Sequence, residues 1–269
     1  MIDAPLALAD LTTTGLRAAL AVARRPVVLW PVGSTEPHGP HLPLSTDVVL
    51  AEENAGRAAE ALRRDGLFAL VAPTLPYGVT DFAAGFTGAV SVPAEALIAI
   101  LLAGVAAFLR DGFHHVCLVN HHLEPDQLDA LDEVVARAAA AHGPHRVSAP
   151  RVVSGRWGRR LTTEFKSGAC HAGCYEGSLV LAARPELVDR AAMAALPPVD
   201  VSLSVAIDLG QRSFLAAGAD RAYTGRPAEA TAAEGEDTYR VLTEMVVTEV
   251  REAVAAQDDD HPHDGETPP

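Results

Sequence analysis

The sequence predicts an α/β fold, a single domain on a mostly parallel sheet with helices on both faces. Three observations carry that prediction. Short apolar runs rich in β-branched residues alternate with longer segments whose apolar positions return at helical spacing. The runs are apolar throughout, which suits strands covered on both sides. The histidines and acids gather just after these runs, where the loops of such sheets meet their ligands.

In chain order, residues 7–25 read as an amphipathic helix, and PVVLWPVG (26–33) as a strand ended by Gly33. Helical spacing returns from Asp47 to Arg64, with Ser45 or Thr46 placed as the cap. FALVAP (68–73) is the next strand, followed by turn-rich chain to Gly88. A helix over 93–110 begins on Ser91, Pro93 and Glu95, a capping order. HVCLVN (115–120) is a strand, 125–141 a helix, and RVSAPRVVS (146–154) a strand interrupted or bent by Pro150. Helices near 175–183 and 228–256 close the domain, taken as residues 1–256.

A chain of 269 residues, 49% hydrophobic and 21% charged, has the material for a full core. The last residues, QDDDHPHDGETPP (257–269), hold five acids and three prolines and read as a solvated, disordered tail. His261 and His263 there either bind a stray metal ion or stay free. The net charge of −14 stays acidic without the tail, which argues against a nucleic-acid partner. No apolar run reaches the roughly 18–20 residues of a membrane span. Near the N-terminus an acid precedes the basic residues, the reverse of a secretory signal, so a cytoplasmic location is expected. Cys117, Cys170 and Cys174 are odd in number and read as buried small hydrophobes, not a disulfide framework.

The chemistry concentrates in GSTEPHGPHLPLSTD (33–47), which crowds Glu36, His38, His41 and Asp47 among prolines and glycines. HHLEPD adds His121, His122 and Glu124; CHAGCYEGS adds His171 and Glu176; Tyr77 and Asp81 follow the FALVAP run. Glu36 and His38 lie two apart, as do His122 and Glu124, and a proline after each glutamate favours extended backbone. Residues i and i+2 then share a face, so each loop offers one carboxylate and one imidazole to a common crevice. Asp47 either favours the positive end of its helix or joins them as a third carboxylate. Three carboxylates in one crevice repel each other unless cations compensate.

Two carboxylate–imidazole pairs plus Asp47 suit two divalent ions, zinc or manganese, with Asp47 as the bridge. A water between such ions would lose a proton near neutral pH and attack a carbonyl, which is hydrolase chemistry. Around this set, His41 is placed to hold a carboxylate or the loop. His121 points away from His122, toward packing or a subunit contact, and His114 and His115 precede their strand as surface or core residues. Glu176, at a helix start, either orients His171 or caps the helix.

These segments resemble the creatininase (creatinine amidohydrolase) family. GSTEPHGPHLPLSTD is similar to its signature, NHHLEP to its second metal segment and HAGCYEGSLVLAARPELV to its third block, over about residues 26–190. The resemblance implies one α/β domain with a two-metal centre, assembled as a homohexamer. It implies that Glu36, Asp47 and His122 hold one ion, and His38, Asp47 and Glu124 the other. His171 would pass a proton to the leaving nitrogen, with Glu176 counted beside it as catalytic.

The chain also departs from the family. HHLEP replaces the Gly-His-Gly-Gly-Asn of many relatives, although its Glu124 agrees with the creatininase branch. Leu123 stands where that branch has Tyr, and FKSGAC lacks an expected Trp. Trp157 either covers the pocket or packs, and Arg156, Arg159 and Arg160 either receive an anionic group or form a solvated loop. The implied activity is hydrolysis of a C–N amide bond in a small substrate, cyclic or open, by metal-bound hydroxide. Its alternatives are a peptidase of a peptide-derived cofactor pathway (mycofactocin type) and a metal-binding scaffold without catalysis.

Overall fold

The structure, a computed structural model, describes residues 4–259. A 3-10 turn at Leu8–Asp10 and helix α1 (Thr13–Val22) replace the single helix expected over 7–25. Two residues divide them: Leu11, extended, ends the turn, and the Thr12 hydroxyl accepts Gly15 N–H at 3.1 Å as an N-cap. Then follow β1 (Val27–Val32), α2 (Thr46–Arg64), β2 (Ala69–Val71), α3 (Ala94–Asp111), β3 (His115–Asn120), α4 (Pro125–His142) and β4 (Val147–Ser148). Ser45 holds the cap position of α2 without a side-chain bond. Ser91, expected to cap α3, accepts Thr80 N–H instead, and Pro93 takes the cap position. The strand expected over 146–154 shrinks to two residues, because Pro150 has no N–H to continue a ladder.

Helices α5 (Thr163–Ser167), α6 (Cys174–Ala183), α7 (Arg190–Ala195), α8 (Leu203–Asp208), α9 (Phe214–Ala217) and α10 (Ala232–Asp259) complete the described chain. The sequence reading missed α5, α7, α8 and α9, which are too short to show periodicity. Their caps were the available signal. Thr162, Asp189, Ser202 and Ser213 each accept an N–H three residues on. Helix α10 starts after a separate 3-10 turn at Pro227–Glu229 and takes in the first residues of the expected tail. The rest of that tail, with His261 and His263, lies outside the described residues.

The four strands of the described residues are all parallel, in the order β2-β1-β3-β4, with Val27 opposite His115 and Val32 opposite Asn120. Both faces are apolar, as the uninterrupted runs require. Val27, Leu29, Cys117 and Val119 pack with α2, α6 and α10; Val28, Trp30, Val32, Val116 and Leu118 pack with α1, α3 and α4. Fully buried side chains such as Leu29 and Leu118 each contribute about 2 kcal/mol.

From β1 the chain leaves through α2 toward β2, while from β3 it leaves through α4, on the opposite face, toward β4. The crevice between the C-terminal ends of β1 and β3 is therefore a topological switch point. Because Val32 and Asn120 are in register, the two loops rich in His and Glu start level with each other.

Candidate active site

The 33–47 loop reaches the crevice from β1, and Asp47 sits in the first turn of α2. Gly33 makes that approach possible, since a Cβ there would lie 2.8 Å from Val48 N. Glu36, His38, Asp47, His122, His171 and Glu176 are all buried at this one place.

Asp47 divides the cluster. Its Oδ2 lies 3.1 Å from His122 Nδ1, which is 3.2 Å from Glu36 Oε1. Its Oδ1 lies 3.3 Å from His38 Nε2, which is 3.5 Å from Glu176 Oε2. Two groups of potential ligands result, Glu36–Asp47–His122 and His38–Asp47–Glu176, with donor atoms within 4.8 Å of one another in each. A third, Glu36–His38–His171, overlaps them.

The far nitrogen of each imidazole is engaged by backbone. His38 Nδ1–H donates to the Glu36 carbonyl at 3.1 Å, and His122 Nε2–H to the Val79 carbonyl at 2.7 Å. That assignment leaves His38 Nε2 and His122 Nδ1 facing the carboxylates as lone-pair donors, the arrangement of metal-binding histidines. His38 Nε2 and Asp47 Oδ2 are buried without a hydrogen-bond partner. Orphaned atoms of this kind, in an oxygen–nitrogen set without thiolate, fit divalent cations of the zinc and manganese type.

The proton balance points the same way. Burial disfavours the Glu36 charge, but His122, which pairs with it, and His171 together bring its pKa below the ordinary value. Asp47 is buried too, and His38 and His122 hold it well below the usual carboxylate range. In return, and against burial, Asp47 and Glu176 raise His38 to about 10, while Glu36 and Asp47 raise His122 well above an ordinary histidine. Protons on the two imidazoles thus balance the carboxylates, and cations binding those nitrogens displace them. Glu176 and Glu124, pushed up by burial, lie at about 8 and about 7.

Glu124 stands apart from the groups above. Its carboxylate accepts Asp81 N–H at 3.0 Å and Phe82 N–H at 3.2 Å, and lies 3.8 Å from His122 Nε2. The position beside His38 and Asp47, expected for Glu124, is occupied by Glu176. Ala172 N–H also donates to Glu176, at 2.6 Å. Ala172 has a positive φ of 51°, a strained conformation between His171 and the start of α6. His171 donates from Nε2 to the Pro37 carbonyl at 3.0 Å, turns Nδ1 toward Glu36 at 3.8 Å, and stacks on Phe214. Burial and nearby His38 push it down to about 4.

Other sequence candidates fall outside the cluster. His41 is buried against Tyr223 with neither ring nitrogen hydrogen-bonded. His121 accepts from Asn54 Nδ2 at 3.0 Å, and His115 bonds the His145 carbonyl and Ser148, so both pack. Trp157 is buried and donates to Glu249 at 2.8 Å. Arg156 and Arg160 flank its ring and pair with Glu252 and Glu244 of α10. The three cysteines are free, and Cys170 is only partly buried, at the pocket wall.

The sequence reading missed the supports. Thr80 Oγ1 donates to Glu36 Oε2. Gln127 accepts Val79 N–H and donates to Asn120, which in turn holds the His122 carbonyl at 2.6 Å. In front of the cluster lies a cavity of about 240 Å³ walled by Phe82, Leu123, Pro125, Leu203, Ile207 and Phe214, with no Lys or Arg among the described residues that line it.

The creatininase family profile, described as creatinine amidohydrolase, matches residues 9–250. The chain belongs to the creatininase family. Membership of that hydrolase family makes the coarse class of its activity hydrolytic. Mycofactocin precursor peptide peptidases from Mycolicibacterium smegmatis and Mycobacterium ulcerans are similar to it. Each is 33% identical across 82% of this chain, over 81% and 82% of their own lengths. Two solved creatininases share its fold. One described as "Creatininase Mn" has a TM-score of 0.67 at 23% identity, covering 96% of this chain and 100% of that one. A mutant creatininase described as Zn–Zn type has a TM-score of 0.68 at 22% identity, covering 97% and 100%. No helix among the described residues is long and apolar enough to cross a membrane.

Proposed function

We propose that this creatininase-family hydrolase cleaves an amide C–N bond at a pair of divalent ions, zinc or manganese. The observation that carries the reading is Asp47, whose two oxygens face two separate ligand groups. Glu36, Asp47 and His122 would hold one ion and His38, Asp47 and Glu176 the other, so Glu176 takes the role first given to Glu124. Bound there, such ions supply Lewis acidity that polarises a carbonyl and acidifies water.

His171 carries the proton. It is neutral at pH 7, and with Nε2–H tied to Pro37 its Nδ1 is free toward the cluster. A neutral imidazole there takes a proton from the attacking water and delivers it to the leaving nitrogen, which departs poorly until protonated. Phe214 holds the ring in plane, with centroids 4.2 Å apart. Glu124 anchors the Asp81–Phe82 turn at the pocket wall. The apolar walls exclude water from the reacting groups and receive an uncharged part of the substrate.

Two substrate classes fit. A peptide is favoured by the 33% identity to the mycofactocin precursor peptide peptidases. A small amide, cyclic or open, is favoured by a cavity of only about 240 Å³. Assembly as a homohexamer in the cytoplasm completes the proposal; light scattering tests the assembly. The deciding experiment incubates the zinc- or manganese-loaded protein with creatinine, other small amides and short peptides, following product by mass spectrometry. Cleavage in either panel that disappears in His171→Ala supports the reading. A protein with two ions bound that cleaves neither panel contradicts it and favours the scaffold.

A further inference from the structure

Resting on the proposed reading, we infer that Glu164 is a positioning residue that fixes the segment carrying His171 and Glu176. That segment is a partition between two cavities. Cys170, His171 and Glu176 line the front one, while Ala169 and Cys174 line a rear one of about 520 Å³ together with Glu164. With space behind it, the segment depends on a few bonds for its position. Thr224 supplies two of them, its N–H and hydroxyl both donating to the His171 carbonyl, at 2.9 and 3.3 Å.

Glu164 supplies the link at the other end. Its Oε1 accepts Tyr175 N–H at 2.8 Å, one residue before Glu176, and its Oε2 accepts Arg226 N–H at 2.7 Å. One carboxylate from α5 therefore joins the first turn of α6 to the 224–226 chain that also holds His171. The backbone leaves room for it on both sides. A Cβ on Gly173 or on Gly225 would come within 2.3 or 2.2 Å of a Glu164 carboxylate oxygen. The carboxylate also sits at the positive end of α6. Among the described residues no Lys or Arg side chain forms an ion pair with it, so these backbone bonds are what it serves.

Positioning of this kind acts on turnover more than on binding, because a displacement of about 1 Å at reacting groups costs about 100-fold in rate. The walls that receive substrate come mainly from other segments, among them Phe82, Leu203 and Phe214.

The test compares Glu164→Ala, Glu164→Gln and the control Glu229→Gln, which alters a rear-cavity carboxylate that faces the Arg226 side chain at 3.7 Å and bonds none of the backbone N–H groups that Glu164 holds. Amide hydrogen exchange of the metal-free proteins is measured first. Glu164→Ala should exchange at least tenfold faster across residues 171–176, Glu164→Gln less so because one acceptor oxygen remains, and Glu229→Gln as wild type. With a cleaved substrate in hand, kcat should fall about 10- to 100-fold in Glu164→Ala with KM nearly unchanged, and partly recover in Glu164→Gln. Unchanged exchange in both Glu164 variants, or an equal change in the control, overturns the inference. Failure of the wild type to cleave any amide contradicts the proposed function alone, since the exchange result stands without it.

Discussion

At the residue scale, the crowding of acids and imidazoles is resolved by which atom each one turns inward. His38 and His122 give their far N–H groups to backbone carbonyls, and Asp47 sends one oxygen to each. His171→Ala should lower kcat by about 100- to 10,000-fold while both ions remain bound, checked by turnover and metal analysis on the same preparation. Glu176→Gln should lose one of two ions, whereas Glu124→Gln should keep both; titration with manganese separates them. The reverse result would return the second ion to Glu124. Much of the cluster was legible because Glu36, His38 and His122 lie in proline-flanked loops directly after strands. That Glu176 rather than Glu124 lies beside His38 and Asp47 was not legible. It depends on the N–H groups of Asp81 and Phe82, more than forty residues away, and on the strained turn at Ala172.

At the element scale, α6 is held against α10 by a close backbone approach. A Cβ on Gly235 would lie 2.0 Å from the Ser178 carbonyl oxygen. Gly235→Ala should therefore destabilise the protein by about 1–3 kcal/mol despite alanine's better helix propensity, measured as a lower urea midpoint. Because α6 carries Glu176, metal affinity should weaken in the same variant. The long elements could be read from their apolar spacing, and the short ones could not. Helices α5, α7, α8 and α9 are set by a single capping side chain each, and β4 stops short of Pro150. The sequence leaves Trp157 open between pocket lid and packing, and the bond from its indole N–H to Glu249 of α10 makes it packing.

For the whole molecule, the alternation of runs gave the parallel sheet, but not the order β2-β1-β3-β4 that opens the crevice between β1 and β3. That order depends on which face each connecting helix covers, and apolar spacing alone does not encode it. The buried interior also sets an acid limit. Burial pushes His115 and His121 down to about 4. Between pH 6.5 and 4 the unfolded chain binds protons that these residues refuse, so stability falls as pH falls through that window. Each can withdraw up to about 3 kcal/mol, to be seen as a steep drop in Tm below pH 6.5. Glu176 and Glu124, pushed up by burial, act in the opposite direction over this window, so the check compares wild type with a His115→Gln, His121→Gln variant. A wild-type Tm that falls no more than the variant's from pH 7 to 4 would contradict neutral burial of these histidines. The central claim, that two cations reconcile the clustered carboxylates, is tested most directly by metal stoichiometry of wild type and Asp47→Ala after saturation with zinc or manganese and dialysis. The account predicts two ions per chain in the wild type and none in the variant. A wild type that binds no ion, or a variant that keeps two at undiminished affinity, would contradict it.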